Sequence, residues 1–405
     1  MNLASAIKNI IIYKEPKNTQ IFELLEDEQE DMKSGADHTS YGNDTSTEQN
    51  QDNSKCVYND LNKNIQEIKQ EFHFPTNKDI VIREFKVMRK TNACIVYIDG
   101  MADKGTINDY ILRQLMTDQE MYEDTKISID YITNNLLAIN QITKHISFDQ
   151  VIMQILNGLT ALFVEGCEEC IIIESRGYDK RNVTKPEVEM VIKGPDEAFT
   201  ENLRTNLTLV RKIIRNKELV TEFMPLGKTG NLTCAIMYIK GITNPKIVQE
   251  VKRRITGLDI DLISGNGGLE QLIEDHPLSL FSQLLTTERP DKTALYLMYG
   301  KIAIFCEGSP YASLAPITFF HFFHSPEDFD LRWQFGTFLR CIRWVAVNLA
   351  LFLPGLFIAL TLFHQEMIPT ELLFALSSAR EHIPLPTLFE LLAMEITFEL
   401  IREAG

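Results

Sequence analysis

Three carboxylates late in the sequence, Glu395, Glu399 and Glu403, stand four residues apart in LLAMEITFELIRE. On a helix that spacing puts all three on one face, with Leu391, Leu392, Met394, Phe398 and Ile401 elsewhere. Acids at membrane depth face a water-filled path or a partner, and rings of them attract cations. The alternative is an amphipathic helix on a membrane surface with solvated acids. Cys167 and Cys170 make a CxxC, but structural zinc needs a second pair or two histidines, and none stands at finger-like spacing. SGNGG at 264–268 lacks the GxxxxGK[ST] pattern and reads as a flexible loop. His321 and His324 share a helix face, yet Phe319, Phe320, Phe322 and Phe323 surround them, which favours an interfacial aromatic stretch over a ligand pair. Glu165 and Glu307 each precede a glycine, where turn residues are commoner than acid/base pairs. No nucleophile stands beside a base. The sequence is not read as an enzyme, although a cleft around Asp99, Glu165 or Glu307 would be the place for one, and neither cofactor nor metal is expected.

The late carboxylates need a membrane to matter, and Trp344 to Phe363 supplies one. These twenty residues carry no charge, and only Asn348 and Thr361 have polar groups. As a helix they span about 30 Å, the thickness of a bilayer's hydrocarbon core. Arg340 and Arg343 precede the run while His364, Gln365 and Glu366 follow it, so the N-terminal side is expected to face the cytoplasm. Trp333 and Trp344 lie at that same end. Pro354 and Gly355 break the hydrogen-bond ladder in mid-span, which is tolerated where neighbouring helices satisfy the freed carbonyl. The bland alternative is the core helix of a large soluble protein. PITFFHFFH at 316–324 is too short to span and is expected at the interface or against the following helix. Further helices are expected from Thr370 to Arg380 and from Thr387 to Glu403. Together they read as an α-helical transmembrane region, incomplete at its C-terminus.

Net charge is −16, and Glu23 to Asp52 holds ten acids against Lys33 alone. That stretch reads as a disordered acidic tail after a short helix within 1–22. No basic excess argues for nucleic acid. The seven cysteines lie mostly in apolar runs and read as reduced thiols. One pattern occurs twice. Tyr97, Ile98 and Gly100 return as Tyr238, Ile239 and Gly241, 141 positions later. Asp149, Gly158, Ala161, Phe163, Glu165 and Gly166 return as Asp291, Gly300, Ala303, Phe305, Glu307 and Gly308, 142 positions later. The expectation is a cytoplasmic region of two duplicated α/β subdomains. Its boundaries are an N-terminal segment 1–65, a first subdomain 66–175, a connector 176–230, a second subdomain 231–325 and membrane helices 326–405. The connector's helix, about Glu197 to Lys217, carries an apolar stripe (Leu203, Leu207, Val210, Ile214) and a basic one (Arg204, Thr208, Arg211, Arg215). The apolar stripe is expected in a core and the basic one on a solvated face, with contact to another subunit or anionic lipid as the alternative.

Across about Ile80 to Gly405 the chain resembles the A subunits of the GerA family of spore germinant receptors. The strings that carry the resemblance are YIDGMADKGTINDYILRQLM, TALFVEG, RGYDKRNVTKPEVEMVIKGPDEAFTENLRTNLTLVRKIIR, QLIEDHP, TERPDK and FHQEMIPTELLFALSSAREHIPLPTLFELLAMEITFELIREAG. A related protein of the SpoVAF kind shares much of the pattern. The resemblance implies a multi-pass protein of the bacterial spore inner membrane, its soluble part facing the spore core. It also implies a transporter-like B subunit that binds the nutrient, a lipid-anchored C subunit, and self-association of A subunits as a ring that releases cations. Leu351, Pro354 and Leu362, with Glu395 and Glu399, are then the expected gate and pore, and Glu187, Glu189, Glu197, Arg204 and Arg211 the expected subunit contacts. A membrane-anchored scaffold without a pore is the competing reading.

Overall fold

The computed structural model describes residues 55–404, apart from 118–127, 178–184, 187, 192, 228, 231, 262, 264, 277–278, 280 and 381–385. The expected helix within 1–22, nearly all of the acidic tail, and Glu187 lie outside the described residues. The first repeat opens with helix α1 (Leu61–Glu71), started by Asp60, whose carboxylate accepts from the amide of Asn62 at 2.9 Å. The hairpin β1 (Ile80–Val87) and β2 (Thr91–Ile98) follows. Helix α2 runs through Lys104–Thr106, a π turn Ile107–Leu112 and Arg113–Met116. After helical turns at Ile129–Tyr131 and Ile132–Leu136 come β3 (Ile142–His145), α3 (Phe148–Leu156), β4 (Thr160–Val164) and β5 (Cys170–Ile173). The strands pair antiparallel in the order β1-β2-β4-β5-β3. Both faces of the sheet are covered, which is why TALFV and CIII are continuous apolar runs without alternation. Helices α1 and α3 place Leu61, Ile65, Ile68, Val151 and Ile155 against Val96 and Phe163 on one face. Helix α2 and the 129–136 turns place Ile107, Ile111, Leu115 and Ile132 against Ile95 and Leu162 on the other.

The second repeat has the same element order: α4 (Leu203–Ile213), β6 (Leu219–Leu226), β7 (Leu232–Ile239), α5 (Pro245–Thr256), α6 (Gly265–Ile273), β8 (Leu285–Thr287), α7 (Pro290–Met298), β9 (Ile302–Cys306) and β10 (Ala312–Ala315). Its sheet order, β6-β7-β9-β10-β8, is the same permutation. Here the expected boundaries need correction. Helix α4 and strand β6, assigned to a connector, are the first two elements of this repeat. Strand β6 pairs with β7 along its whole length, from Leu219 opposite Ile239 to Leu226 opposite Leu232. Helix α4 buries Leu203, Leu207 and Val210 against Leu219, Ala235 and Phe305. A boundary at 231 would cut a hairpin and uncover a sheet face, and one at 65 likewise cuts α1.

The duplication reaches single side chains. Asn64 and Asn206 are both buried, each near the start of the first helix of its repeat. Asn64 accepts from the amide of Tyr58 at 2.8 Å and donates to its carbonyl at 2.6 Å; Asn206 does the same to Thr200 at 2.7 and 2.6 Å. Each side chain satisfies an approach loop that would otherwise bury bare backbone. Glu165 and Glu307 open matching turns: their amides donate to Asn92 and Thr233 carbonyls, and the following Gly166 and Gly308 take φ of +82° and +78°. Those turns leave no role for a carboxylate pair.

Beyond β10, a 3₁₀ turn (Phe319–Phe323) and a helical turn (Glu327–Asp330) lead into α8 (Trp333–Ile358), which continues as a π turn (Ala359–Phe363). Helices α9 (Thr370–Arg380) and α10 (Thr387–Ala404) follow. Among the described residues, Trp333–Phe363 is the one helix long and apolar enough to cross a membrane, and only 6% of its apolar window is buried. Its few polar groups are spent internally: Asn348 donates to the Trp344 carbonyl at 2.7 Å and Thr361 to the Phe357 carbonyl at 2.8 Å. Replacing Asn64 or Asn206 by Ala should lower the stability of the repeat region by about 1–3 kcal/mol each, since each strands two buried backbone groups. Thermal unfolding of the detergent-solubilised chain checks this, and comparable losses at the two positions are expected.

Candidate functional site

The basic stripe of α4 runs along the seam between the repeats, with Arg211 buried in it and the Arg204 side chain and Arg215 at its exposed edge. Arg211 is fully buried, and its Nη2 donates to Asp79 at 2.7 Å, to the Leu219 carbonyl at 2.9 Å and to Thr221 at 3.3 Å. Thr221 in turn donates to the same Asp79 oxygen at 2.6 Å, and the Lys78 amide to the Thr221 carbonyl at 3.0 Å. Two turns away Arg204 pairs with Asp99, which Lys104 also reaches at 2.7 Å. Thr208 packs so close to Gly100 that a Cβ there would collide with its hydroxyl. Arg215 closes the row on Asn157 at 3.0 Å. All four stripe residues therefore face the first repeat.

Beside this seam lies a cavity of about 650 Å³ lined by Asp99, Asp103, Lys104, Arg176, Glu197 and Arg204 among others. Its charges are already committed. Asp99 holds two cations, Glu197 accepts from Lys212 at 2.8 Å, and Arg176 forks onto Glu174 with two bonds of 2.7 Å. The Thr106 hydroxyl and amide, with the Gly105 amide, hold the Asp103 carboxyl below the usual carboxylate range. It is an ionised helix cap and not a proton donor.

A second cluster fastens the 188–197 segment to α7. Arg289 is fully buried, forks onto Asp291 at 2.9 and 3.1 Å, and donates to the carbonyls of Glu189 at 3.1 Å and Pro195 at 2.8 Å. Glu288 accepts the amides of Val188 and Glu189, both at 2.7 Å, while Glu189 itself takes Lys292 and Thr287. Of the residues expected at subunit contacts, Arg211 is buried within the chain and Glu189, half-buried, is paired with Lys292 and Thr287 of the same chain. Glu197 and Arg204 keep partly exposed side chains.

The third arrangement roots α8. The side chain of Asp328 is fully buried and accepts from Arg343 at 3.0 and 3.3 Å, Arg340 at 3.3 Å and the Ser325 amide at 3.1 Å. Arg343 also donates to the Phe323 carbonyl. Burial pushes the Asp328 carboxyl up, but Arg343, the Ser325 amide and Arg340 together outweigh it and hold the group below its ordinary value. The two arginines before the uncharged run are thus locked to the strap that precedes α8. His321 accepts from the Thr318 amide at 3.0 Å, capping the aromatic turn. Burial, then the Arg340 charge, lowers the His324 imidazole below its ordinary value.

Leu351 and Leu362 are exposed along α8 and its π turn, with Pro354 between them; Glu395 and Glu399 are exposed on α10, Glu399 beside Arg402. Burial raises the thiols of both Cys170 and Cys167, so the CxxC holds no ready thiolates. Among the described residues no group of three or more His, Cys, Asp or Glu could hold a metal. The signal that α4 opens the second repeat was present in sequence as Asp60-Leu61-x-x-Asn64 and Asn202-Leu203-x-x-Asn206, 142 positions apart.

The described residues thus form a pair of duplicated three-layer α/β units joined through a clamped strap to an exposed apolar helix of membrane-spanning length. Residues 66–405 match the family described as Bacillus/Clostridium GerA spore germination protein. The chain belongs to that family. It is 36% identical to spore germination protein KA of Bacillus subtilis (strain 168) over 85% of this chain and 63% of that one. It is 35% identical to spore germination protein GerLA of Bacillus cereus over 84% of this chain and 69% of that one. A crystal structure of the N-terminal domain of the A subunit of the Bacillus megaterium spore germinant receptor GerK3 aligns with a TM-score of 0.52 at 32% identity, covering 66% of this chain and 98% of that domain. The chain spans under two thirds of the length of KA.

Removing one member of the seam pair, by Asp79→Ala or Arg211→Ala, should cost about 3–5 kcal/mol, because the other charge is left buried. The double variant Asp79→Leu/Arg211→Met should cost clearly less than the two single losses together, measured by denaturant unfolding. Asp328→Asn should leave the unfolding of the repeats in place while exposing residues 316–331 to limited proteolysis. Because the folded carboxyl lies low, the clamp is fully present above about pH 4 and is lost only as pH falls through the lowered value. Proteolysis of the unsubstituted chain at falling pH reads that directly.

Proposed function

We propose that the chain is the A subunit of a nutrient germinant receptor of the spore inner membrane, in which several copies form a ring that opens a cation path when nutrient binds. The observation that carries this reading is a helix of membrane length, unburied within its own chain and broken by Pro354, in a member of a spore germination family. An exposed apolar helix with a mid-span proline needs neighbours, and copies of itself supply them. Helices α9 and α10 join α8 in a multi-pass bundle. A transporter-like B subunit binds the nutrient and a lipid-anchored C subunit completes the complex, the repeats facing the spore core. The ligand acts by shifting a two-state equilibrium of the ring. Apolar residues around Leu351 and Leu362 close the path by dewetting, and Glu395 and Glu399 draw cations to it. Glu197 and Arg204 remain candidates for contacts between subunits.

The second reading is a membrane-anchored scaffold without its own pore, favoured by α8 being the one helix among the described residues that meets the length and composition of a span. Native mass determination in nanodiscs separates the two. A closed ring of several copies supports the channel, whereas a monomer or dimer without ion flux overturns it in favour of the scaffold. In a ring, Leu351→Ser or Leu362→Ser should raise resting cation leak, about tenfold for each 1.4 kcal/mol taken from the closed state. Glu395→Gln with Glu399→Gln should lower stimulated flux. Unchanged leak in both serine variants would remove the gate from this stretch.

A further inference from the structure

The strand register gathers an apolar surface at one end of the second sheet. Ala315 at the end of β10 stands opposite Ile302 at the start of β9, and Leu314 opposite Leu285 at the start of β8. Met237 in β7 stands opposite Ala303, so the end of β7 lies there too. The segments meeting at that end expose Ile242, Phe281, Tyr299, Phe319, Phe320 and Phe322, with Phe281 and Tyr299 each more than 60% exposed. Contacts tie Phe281 to the aromatic turn: its ring meets Phe319 edge-on at 5.1 Å, Phe319 meets Phe323 at 5.1 Å, and Tyr296 contacts His321 at 5.5 Å, while Ile242 and Tyr299 are placed at this end by the strands they adjoin.

The clamp sets the level of this surface. Arg343 donates to the Phe323 carbonyl, so the aromatic turn lies beside the residue that immediately precedes the uncharged run starting at Trp344. The helical run Trp333–Phe363 has 31 residues and is about 46 Å long, against roughly 30 Å of hydrocarbon. If Trp344–Phe363 fills the hydrocarbon, the first turns of α8 and the aromatic turn lie at headgroup depth, where aromatic rings are favoured. Lys301 precedes β9 at the same end, a cation that suits an anionic leaflet, while Lys240 after β7 is turned to His73 of the first repeat at 3.2 Å. The nearby acids are engaged: Asp275 by Arg254, and Glu274 by the Ser282 hydroxyl and the Gln283 amide.

We propose that this end of the second repeat is a membrane seat, resting Phe281, Tyr299, Ile242 and the Phe319–Phe323 turn among the lipid headgroups of the leaflet from which α8 enters. The inference rests on the reading of α8 as a span and adds that a loop distant in sequence, at Phe281, meets the same lipid. Lipid is the occupant because the patch is continuous with a helix whose surface lipid must surround. The seat fixes the tilt of the repeats over the membrane, so that movement of the seam reaches α8 as displacement and not as free swivelling.

The test uses the full chain in nanodiscs of phosphatidylethanolamine and phosphatidylglycerol. The photoreactive residue p-benzoylphenylalanine replaces Phe281, Leu351 in the span, or Tyr110, an exposed residue of the first repeat. After irradiation, mass spectrometry should find lipid adducts at 281 and 351, several-fold above the yield at 110. Lipid adducts at 351 with none at 281, or peptide adducts from a second copy at 281, overturn the seat and leave the span standing. Absence of lipid at both positions overturns the span, and the seat with it.

Discussion

The pair Asp79–Arg211 joins three elements at one point: the entry to β1, helix α4 and strand β6. Its geometry is expensive. Among the described residues the Arg211 Nε and Nη1 atoms have no partner, so part of a buried guanidinium is left unsatisfied. A well-packed apolar pair would serve stability as well or better. What the ion pair adds is alignment: one Asp79 oxygen takes both Arg211 and Thr221, and the Lys78 amide joins Thr221 from the other repeat. Sliding α4 by one turn would leave two charges buried without partners. The two sheets are therefore held in one mutual arrangement, and the shorter-range pairs Arg204–Asp99 and Arg215–Asn157 follow from it.

The same seam shows where sequence reading reaches and where it stops. Tyr97, Gly100 and Gly158 recur as Tyr238, Gly241 and Gly300 because they sit in turns and strands whose backbone demands are repeated, so the duplication was legible without a structure. Strand β6 was not. VTEFMPL pairs fully with β7, but it carries a proline and mixed polar residues as a sheet-edge strand can, and lacks the continuous apolar run of β4 or β9. The basic stripe of α4 announced a sided helix but not what faced it. An amphipathic pattern gives the direction of a face; its occupant depends on tertiary placement of residues such as Asp79 and Asp99, more than a hundred positions away. The long apolar helix was legible for the opposite reason, since the features that mark it are local: length and lack of charge.

Asp328 does for the membrane root what Asp79 does for the seam. A carboxylate with no exposed surface takes two arginines from successive turns of α8, and a Cβ at Gly336 would stand 2.5 Å from the Asp328 carbonyl oxygen. The approach is close enough that only glycine fits without displacement. Holding Arg340 and Arg343 in this way removes their freedom to snorkel to different depths, so the helix enters at a defined height.

With both ends of the soluble path fixed, compliance has to lie farther along α8. Pro354 offers no amide to the carbonyl of Ala350, and its ring opens the ladder at that turn. Five residues later the helix widens into the π turn Ala359–Phe363, where the Thr361 hydroxyl and the Gln365 side chain take over carbonyls that regular helical pairing would use. Each break costs backbone hydrogen bonding in a medium with no water to replace it, and each is tolerable only where a neighbour or a side chain compensates. The half of the helix before Pro354 moves with the second repeat because the clamp leaves it no alternative. The half beyond Pro354 is tied to it through a single interrupted turn. Pro354 is therefore where the regular ladder between the clamped start of α8 and its far half is interrupted.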